Sequence, residues 1–401
     1  MNDAAAPSRP GAGHPQKTNR PTIESCIMTH NPALKVVVIG GGIFGVSAAV
    51  HLARLGVETT IVNDGPIANG ASSRSLAWLN SARKRSAAYH KLRMQGLDRY
   101  RTLAAGNDYG AWLRFDGGLT WDADDASNQI PEIFRHEQAI GYETRLLAPG
   151  EIAAVTPGVD ARAVSTRGAI FNAGEGWVDL PSLIGLLLEE FHERGGRVIT
   201  DAGSVDVTLA NGRTSGVKTA SGQFIDGDAV VVATGSAVPG MAAKVGKRIG
   251  DGTTRALLVV TKPLKHPLRA VLNTPRVAIR PTPNGAFALD SAWSEDEVVV
   301  RGDGAYEAKP STIAGLLDEA SKVLEGNPTL VLESYHTGPK PIPADGEPVI
   351  GQLAGIPGYN VIFSHSGATL GLVAGELLAG EIVSGSPHPL LESFRPGRFD
   401  S

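Results

Sequence analysis

The sequence predicts an α/β fold, and three stretches predict it. Residues 34–62 read strand, glycine turn, helix, strand: Leu34-Lys-Val-Val-Val-Ile-Gly-Gly-Gly-Ile-Phe-Gly45, an apolar helix, then Val57-Glu-Thr-Thr-Ile-Val62. Asp228–Gly235 and Gly358–Phe363 are further short apolar runs, each ending at a turn or a helix start. Unalternating β-branched runs of this length suit parallel strands covered on both faces.

In the first unit Val36–Ile39 is the buried strand, and Gly40, Gly42 and Gly45 fill G-x-G-x-x-G directly after it. Gly40 permits the tight turn, Gly42 lets the backbone approach a pyrophosphate, and Gly45 allows the helix to pack closely on the strand. Ile43 and Phe44 begin the helix, whose unpaired N–H groups suit phosphate oxygens. A strand before the motif and a helix and strand after it make this pattern a dinucleotide-binding unit.

The chain has 401 residues, 42% hydrophobic and 19% charged, enough for one large core or two joined domains. A net charge of −4 argues against nucleic acid or an anionic membrane surface as partner. The single cysteine, Cys26, excludes an intrachain disulfide and a multi-cysteine metal site, and no metal is expected. No apolar run reaches the roughly 18–20 residues of a membrane span, so cytoplasmic residence is the expectation. Residues 1–33 are rich in Pro, Gly, Ala, Asn and Ser and lack the apolar segment of a signal peptide. They read as a disordered tail, with Met28 an alternative natural start.

The composition along the chain divides it into a discontinuous nucleotide-binding domain (34–80, 171–250 and 336–385) and a second domain (81–170 and 251–335), with 386–401 as a C-terminal tail. Asp179 is placed to cap, and Pro181 to open, a helix over Ser182–Arg194, which Gly195-Gly196 ends before the strand Arg197–Thr200. Ser204–Leu209 and Thr214–Thr219 alternate around Asn211-Gly212, a hairpin signal. In the second domain Trp112, Phe115 and Trp121 stud the first block. Leu257–Thr261, Val277–Arg280, Ala286–Leu289 and Val298–Arg301 are short β runs at sheet-like spacing. A last helix covers Leu370–Val383.

Four segments occur in a specific order: Val38–Gly45, Asn69-Gly-Ala-Ser-Ser-Arg-Ser75, Ala229–Gly235, and Ser364-His-Ser-Gly-Ala-Thr-Leu370 with its helix. With these the chain resembles the D-amino-acid oxidase superfamily of FAD enzymes, which includes glycine oxidase, sarcosine oxidase and the D-amino-acid dehydrogenases, from Val36 to about Gly385. The resemblance implies an FAD-binding Rossmann-like domain of glutathione-reductase type with an inserted antiparallel-sheet substrate domain. It implies FAD held without a covalent link, since no cysteine lies in the C-terminal half. Gly70, Ala71, Ser72, Ser73, Arg74 and Ser75 would form a second phosphate-and-flavin loop, and Val205, Thr234 and Gly235 would touch the cofactor. Ser366, Gly367, Ala368, Thr369 and Leu370 would aim a helix N-terminus at the pyrimidine end of the flavin, where its partial positive charge favours the reduced form. One departure stands out: Asn63 occupies the place of the family's ribose-binding glutamate, with Asp64 the neighbouring alternative.

The same resemblance implies oxidation of the C–N bond of an amino acid or secondary amine by hydride transfer to flavin N5, the imine then being hydrolysed. Oxygen, a quinone or another acceptor would reoxidise the flavin. In the segment Thr337–Gly346 Lys340 replaces the usual substrate-clamping arginine, a point charge in place of a bidentate fork. His365 would lie beside the flavin, and Arg280, at a strand end of the second domain, is a second anion-binding candidate. Trp78, Tyr335 and His336 are further candidates for the pocket lining, whereas the run Arg83–Arg85 reads as solvated surface. Two other functions stay compatible with the residues. One is an NAD(P)-linked dehydrogenase, which Asn63 leaves open. The other is a flavin-binding sensor without turnover, in which Lys340 and His365 would be exposed and far from the ring.

Overall fold

The computed structural model describes Met1, residues 34–106 and residues 109–400; Cys26, Met28 and the rest of the expected tail lie outside the described residues. The apolar run after Leu34 forms strand β1 (Lys35–Ile39), with Val36–Ile39 buried. It pairs in parallel with β2 (Glu58–Val62), Val38 opposite Ile61, and on its other side with Ala229–Val232, Val38 opposite Val231. The full six-stranded order is Val349–Gln352, Tyr359–Phe363, Ala229–Val232, β1, β2, Arg197–Ile199. All neighbours are parallel except the outermost strand, which returns antiparallel to Tyr359–Phe363.

Parallel neighbours need a crossover, and helix α1 (Ile43–Arg54) makes the one between β1 and β2. It packs against the helix Leu180–Glu193, whose start is fixed by Asp179 Oδ2 accepting the Ser182 N–H at 3.2 Å. It also crosses the C-terminal helix Gly367–Ser384 at close range. A Cβ on Gly371 would lie 2.6 Å from Ile43 Cγ1, and one on Gly375 would lie 2.6 Å from the Ala48 nitrogen. Among the described residues the helix Gly367–Ser384 is the one long and apolar enough to cross a membrane, and 61% of it is buried inside the protein.

A second sheet has eight strands, in the order Leu332–Lys340, Thr254–Thr261, Phe287–Asp290, Ala278–Pro281, Val271–Asn273, Gly118–Thr120, Ala169–Asn172 and Arg145–Leu147. It is mixed, not wholly antiparallel as expected, because Gly118–Thr120 lies parallel to Val271–Asn273. Those strands come from separate blocks of the chain, so no hairpin imposes an antiparallel pairing. Val298–Arg301 does not join this sheet. Val299–Val300 pairs with Tyr306–Glu307, folded back by a turn in which the Arg301 N–H reaches the Ala305 carbonyl at 2.8 Å.

The boundaries expected at 171 and 336 fall inside two strands of this sheet, Ala169–Asn172 and Leu332–Lys340. Pairing with residues distant in sequence, which local composition does not report, assigns these strands. The hairpin turning at Asn211-Gly212 joins Phe224–Asp226 in a separate three-stranded sheet. The segment after Gly385 is not a loose tail: Leu391 and Phe394 are buried in the core that holds α1, and the Arg395 guanidinium takes both Glu381 oxygens.

The close crossing makes a stability prediction. Gly375→Ala is expected to lower the unfolding free energy by about 1–3 kcal/mol, through overpacking against α1. This should hold although alanine is the better helix former by about 1 kcal/mol. Urea unfolding checks it, and an unchanged or raised midpoint would contradict the packing described.

Candidate functional site

The carboxyl ends of β1, β2, Ala229–Val232 and Tyr359–Phe363 meet at one sheet edge, where ligands collect in open parallel sheets. A cavity of about 710 Å³ lies there. Its walls are the β1–α1 turn, the Gly70–Ser75 loop, the Thr234-Gly235 turn and the start of the helix Gly367–Ser384; the eight-stranded sheet closes it through Ala256, Asn273, Ala278, Asp290 and Lys340.

The glycines divide by role. Gly40, at φ +115°, presses against Ala233, whose carbonyl oxygen would lie 2.5 Å from an added Cβ. A Cβ on Gly42 would meet only Ser72 Oγ, at 3.3 Å, so any larger side chain there would fill the cavity. Gly45 does not line the cavity: a Cβ there would collide with the Gly40 carbonyl, so it serves the helix–strand packing. Ile43 and Phe44 line the cavity with Gly42. The start of α1 has no side-chain cap and no acidic residue in its first turn. The Ile43 N–H reaches Ser72 Oγ at 3.1 Å, whereas the Gly42 and Phe44 N–H groups have no acceptor among the described residues. The helix Gly367–Ser384 is likewise uncapped and free of acid in its first turn. Two such termini on one cavity strongly favour an anionic ligand.

Asn63 lines the cavity as expected of a cofactor-binding residue, and it also holds its own turn. Its Oδ1 accepts the Gly41 N–H at 2.7 Å, and its Nδ2 donates to the carbonyls of Gly65 (2.8 Å) and Pro66 (2.9 Å). The amide thus shapes the turn while still lining the cavity, and its Oδ1 keeps a second lone pair for a ligand hydroxyl. Asp64, exposed at the cavity, offers a carboxylate with no hydrogen bond among the described residues. Gly70, Ala71, Ser72, Arg74 and Ser75 line the cavity, while Ser73 turns away and donates to the Gly70 carbonyl at 3.0 Å. Val205, Thr234 and Gly235 line it, together with Gly203, Ser204 and Ser236, which the sequence did not single out. So do Ser366, Gly367, Ala368 and Thr369; Leu370 is buried behind them, its N–H on the Ser366 carbonyl at 2.9 Å.

Two of the three catalytic candidates are placed differently from the sequence reading. Lys340 lines the cavity, yet its Nζ donates to both Glu295 oxygens at 2.8 and 2.7 Å, so its charge is already answered. Burial first, then the neighbouring Asp290, pushes the Glu295 carboxyl up to about 7 against the pull of Lys340. Arg280 is not at the cavity at all. Its guanidinium packs 5.3 Å from the centre of the Trp177 ring, donates to the Pro281 carbonyl at 3.1 Å and lies 3.9 Å from Asp179. Its strand pattern could not reveal which face of the sheet it occupies. His365 projects into the cavity and is otherwise enclosed by protein. Burial, followed by Lys340, Arg93 and Arg85, holds its imidazole well below the ordinary value, so it is neutral at physiological pH. Trp78 lines the cavity, whereas Tyr335 and His336 are exposed and do not.

The sequence reading missed Asn80, Arg85, Arg93, Asp290 and Glu295, all of which line the cavity. Arg93 left a signal: Tyr89, Arg93, Gly96 and Tyr100 are buried at helical spacing on Ala87–Gly106. Behind the cavity wall Glu175 is fully buried, accepting from Trp78 Nε1 at 2.8 Å and the Tyr142 hydroxyl at 2.5 Å; burial pushes it up to about 8.

The parallel sheet, the side-chain-free approach at Gly42 and the two open helix termini define an α/β protein built to hold a dinucleotide. Residues 35–381 match the family of FAD dependent oxidoreductases (DAO), and the chain belongs to that family. It is 25% identical over 435 residues to a D-amino acid dehydrogenase of Rhizorhabdus wittichii, spanning 90% of this chain and 98% of that protein. In fold it is similar to glycine oxidase from Bacillus cereus, with a TM-score of 0.76 at 21% identity over 90% of this chain and 98% of that one. It is similar also to iminodiacetate oxidase from Chelativorans sp., with a TM-score of 0.75 at 22% identity over the same 90% and 98%. FAD is thus the dinucleotide that the cavity fits.

Glu175 makes a prediction with a definite sign. A carboxyl raised from 4.5 to about 8 binds its proton more tightly in the folded chain than in the unfolded one. Its contribution is therefore present below the unfolded value and is lost as pH rises through that window. Glu175→Gln is expected to flatten the fall in urea midpoint between pH 5 and 9. A variant with the wild-type slope would contradict the assignment.

Proposed function

We propose that the protein oxidises the C–N bond of an amino acid or amine. FAD, when bound, supplies the hydride acceptor. The observation that carries this reading is the positive charge gathered, unneutralised, at the start of the helix Gly367–Ser384. Arg93 is buried there, and its guanidinium donates to the Asn80 carbonyl at 2.8 Å, to Asn80 Oδ1 at 3.0 Å and to Ser366 Oγ. All its acceptors are neutral, and no carboxylate among the described residues forms an ion pair with it. Its charge adds to the helix dipole and favours an electron-rich group at that end of the cavity.

The substrate end has the features that amine oxidation asks of a protein. Its task is to hold the substrate in position and keep water out. Neutral His365 can exchange a hydrogen bond with the substrate nitrogen without adding charge. Trp78 gives the wall an apolar face. Asp64 and the free N–H groups of Gly42 and Phe44 suit the ribose and the pyrophosphate of FAD, held without a covalent link.

The purified protein is expected to show a flavin absorption spectrum that bleaches anaerobically when an amino acid or amine is added. Acid precipitation should leave the flavin in the supernatant. A flavin spectrum that no member of a broad amine and amino-acid panel bleaches would overturn the proposed reaction, and flavin remaining in the pellet would overturn the non-covalent binding.

A further inference from the structure

Two carboxylates face the cavity from the eight-stranded sheet and from the short helix Ala292–Asp296 that follows it: Asp290 and Glu295. Glu295 is answered by Lys340, whose Nζ reaches both of its oxygens at 2.8 and 2.7 Å. Asp290 accepts no hydrogen bond and forms no ion pair among the described residues. Arg280, buried nearby, has Asp179 at 3.9 Å as its own carboxylate. With Lys340, Glu295 and Asp290 all charged, one negative charge is left facing the cavity. Burial pushes the Asp290 carboxyl above its ordinary value, against the pull of Lys340 and Arg280. An enclosed carboxylate in this condition is unfavourable until a cation or a strong donor joins it.

The strand register places this carboxylate in a notch. Asn273 lies opposite Ala278, and Ala278 opposite Asp290, so the three form one row across three strands. Directly opposite residues share a face, and all three line the cavity. Phe287 and Leu289, on the same strand as Asp290, belong to the core behind the sheet. Asn273 and Asp290 stand two strand spacings apart, roughly 10 Å, and the alanine between them adds only a methyl group. The Asn273 amide also makes no side-chain hydrogen bond among the described residues. A cation rich in N–H groups suits such a notch, since the carboxylate takes its charge and the amide oxygen a further N–H.

We propose that Asp290, with Asn273 across Ala278 from it, is the specificity-determining group for a positively charged side chain of the substrate, an ammonium or guanidinium apart from the C–N bond that is oxidised. The preferred substrate is then a basic amino acid over the neutral one of the same shape. The inference rests on the proposed C–N oxidation.

The test reduces the flavin-loaded enzyme anaerobically with arginine and citrulline, which share a shape and differ in charge, and with lysine and norleucine, each as both enantiomers. Wild type is expected to be reduced by a basic member about tenfold to a hundredfold more efficiently than by its neutral partner. Asp290→Asn should erase most of that preference by slowing the basic member selectively, and Asp290→Glu should keep part of it. The thermal transition of Asp290→Asn should not fall, because the carboxylate makes no bond within the protein. A wild type reduced at least as well by the neutral members overturns the assignment. So does an Asp290→Asn variant that keeps the preference, that slows equally towards basic and neutral substrates, or that melts earlier. Flavin that no amino acid or amine reduces refutes the proposed reaction itself.

Discussion

The crossing of α1 and the helix Gly367–Ser384 is the contact on which the site depends. Gly375 and Gly371 let the two backbones approach until Ala48 and Ile43 touch the partner helix. At that spacing both N-termini open onto the same cavity, one after β1 and one after Tyr359–Phe363. Neither helix is capped by the side chain of its own N-cap residue, Gly42 or Ser366, and neither first turn carries an acid. A protein built only for stability gains from such caps. Leaving both open concentrates donors and partial positive charge where a dinucleotide's negative groups come to lie.

The electrostatics around this centre follow one rule: charges facing the cavity are either cancelled by a neighbour or aimed at the ligand. Lys340 is cancelled by Glu295. Arg93 is satisfied by neutral oxygens and keeps its charge. Glu175, sealed behind Trp78, avoids a buried negative charge near neutral pH because burial raises its affinity for a proton. His365 stays neutral among cations for the corresponding reason. These groups act through one another, since Tyr89 bonds Ser366 at 2.5 Å while carrying both Arg85 and Arg93 on its ring.

Much of this was legible in the chain, and the failures have a common cause. The β1–α1–β2 unit, the hairpin at Asn211-Gly212 and the capped helix after Asp179 are local patterns, written in glycine positions, apolar runs and cap chemistry. The FAD family was legible because four such patterns recur in order. The misplacements are tertiary. Arg280 sits on a strand whose face only sheet packing decides, and Lys340 looks free until Glu295, 45 residues away, is seen to hold it. Asn63 lines the cavity and also braces its own loop, a second task that the sequence does not reveal. Arg85 gave no local signal at all, because a polar run beside a helix start looks the same solvated or enclosed.

The central claim is that the open termini and the bare Gly42 backbone form the seat of the dinucleotide. The most direct measurement is the affinity of the flavin-free protein for FAD, followed by flavin fluorescence, in wild type and in Gly42→Leu. A side chain at 42 projects into the cavity and meets only the Ser72 hydroxyl, so the variant should fold with a near-normal thermal transition. The account predicts that wild type binds FAD and that folded Gly42→Leu does not. A folded Gly42→Leu protein that binds FAD as tightly as wild type would contradict it.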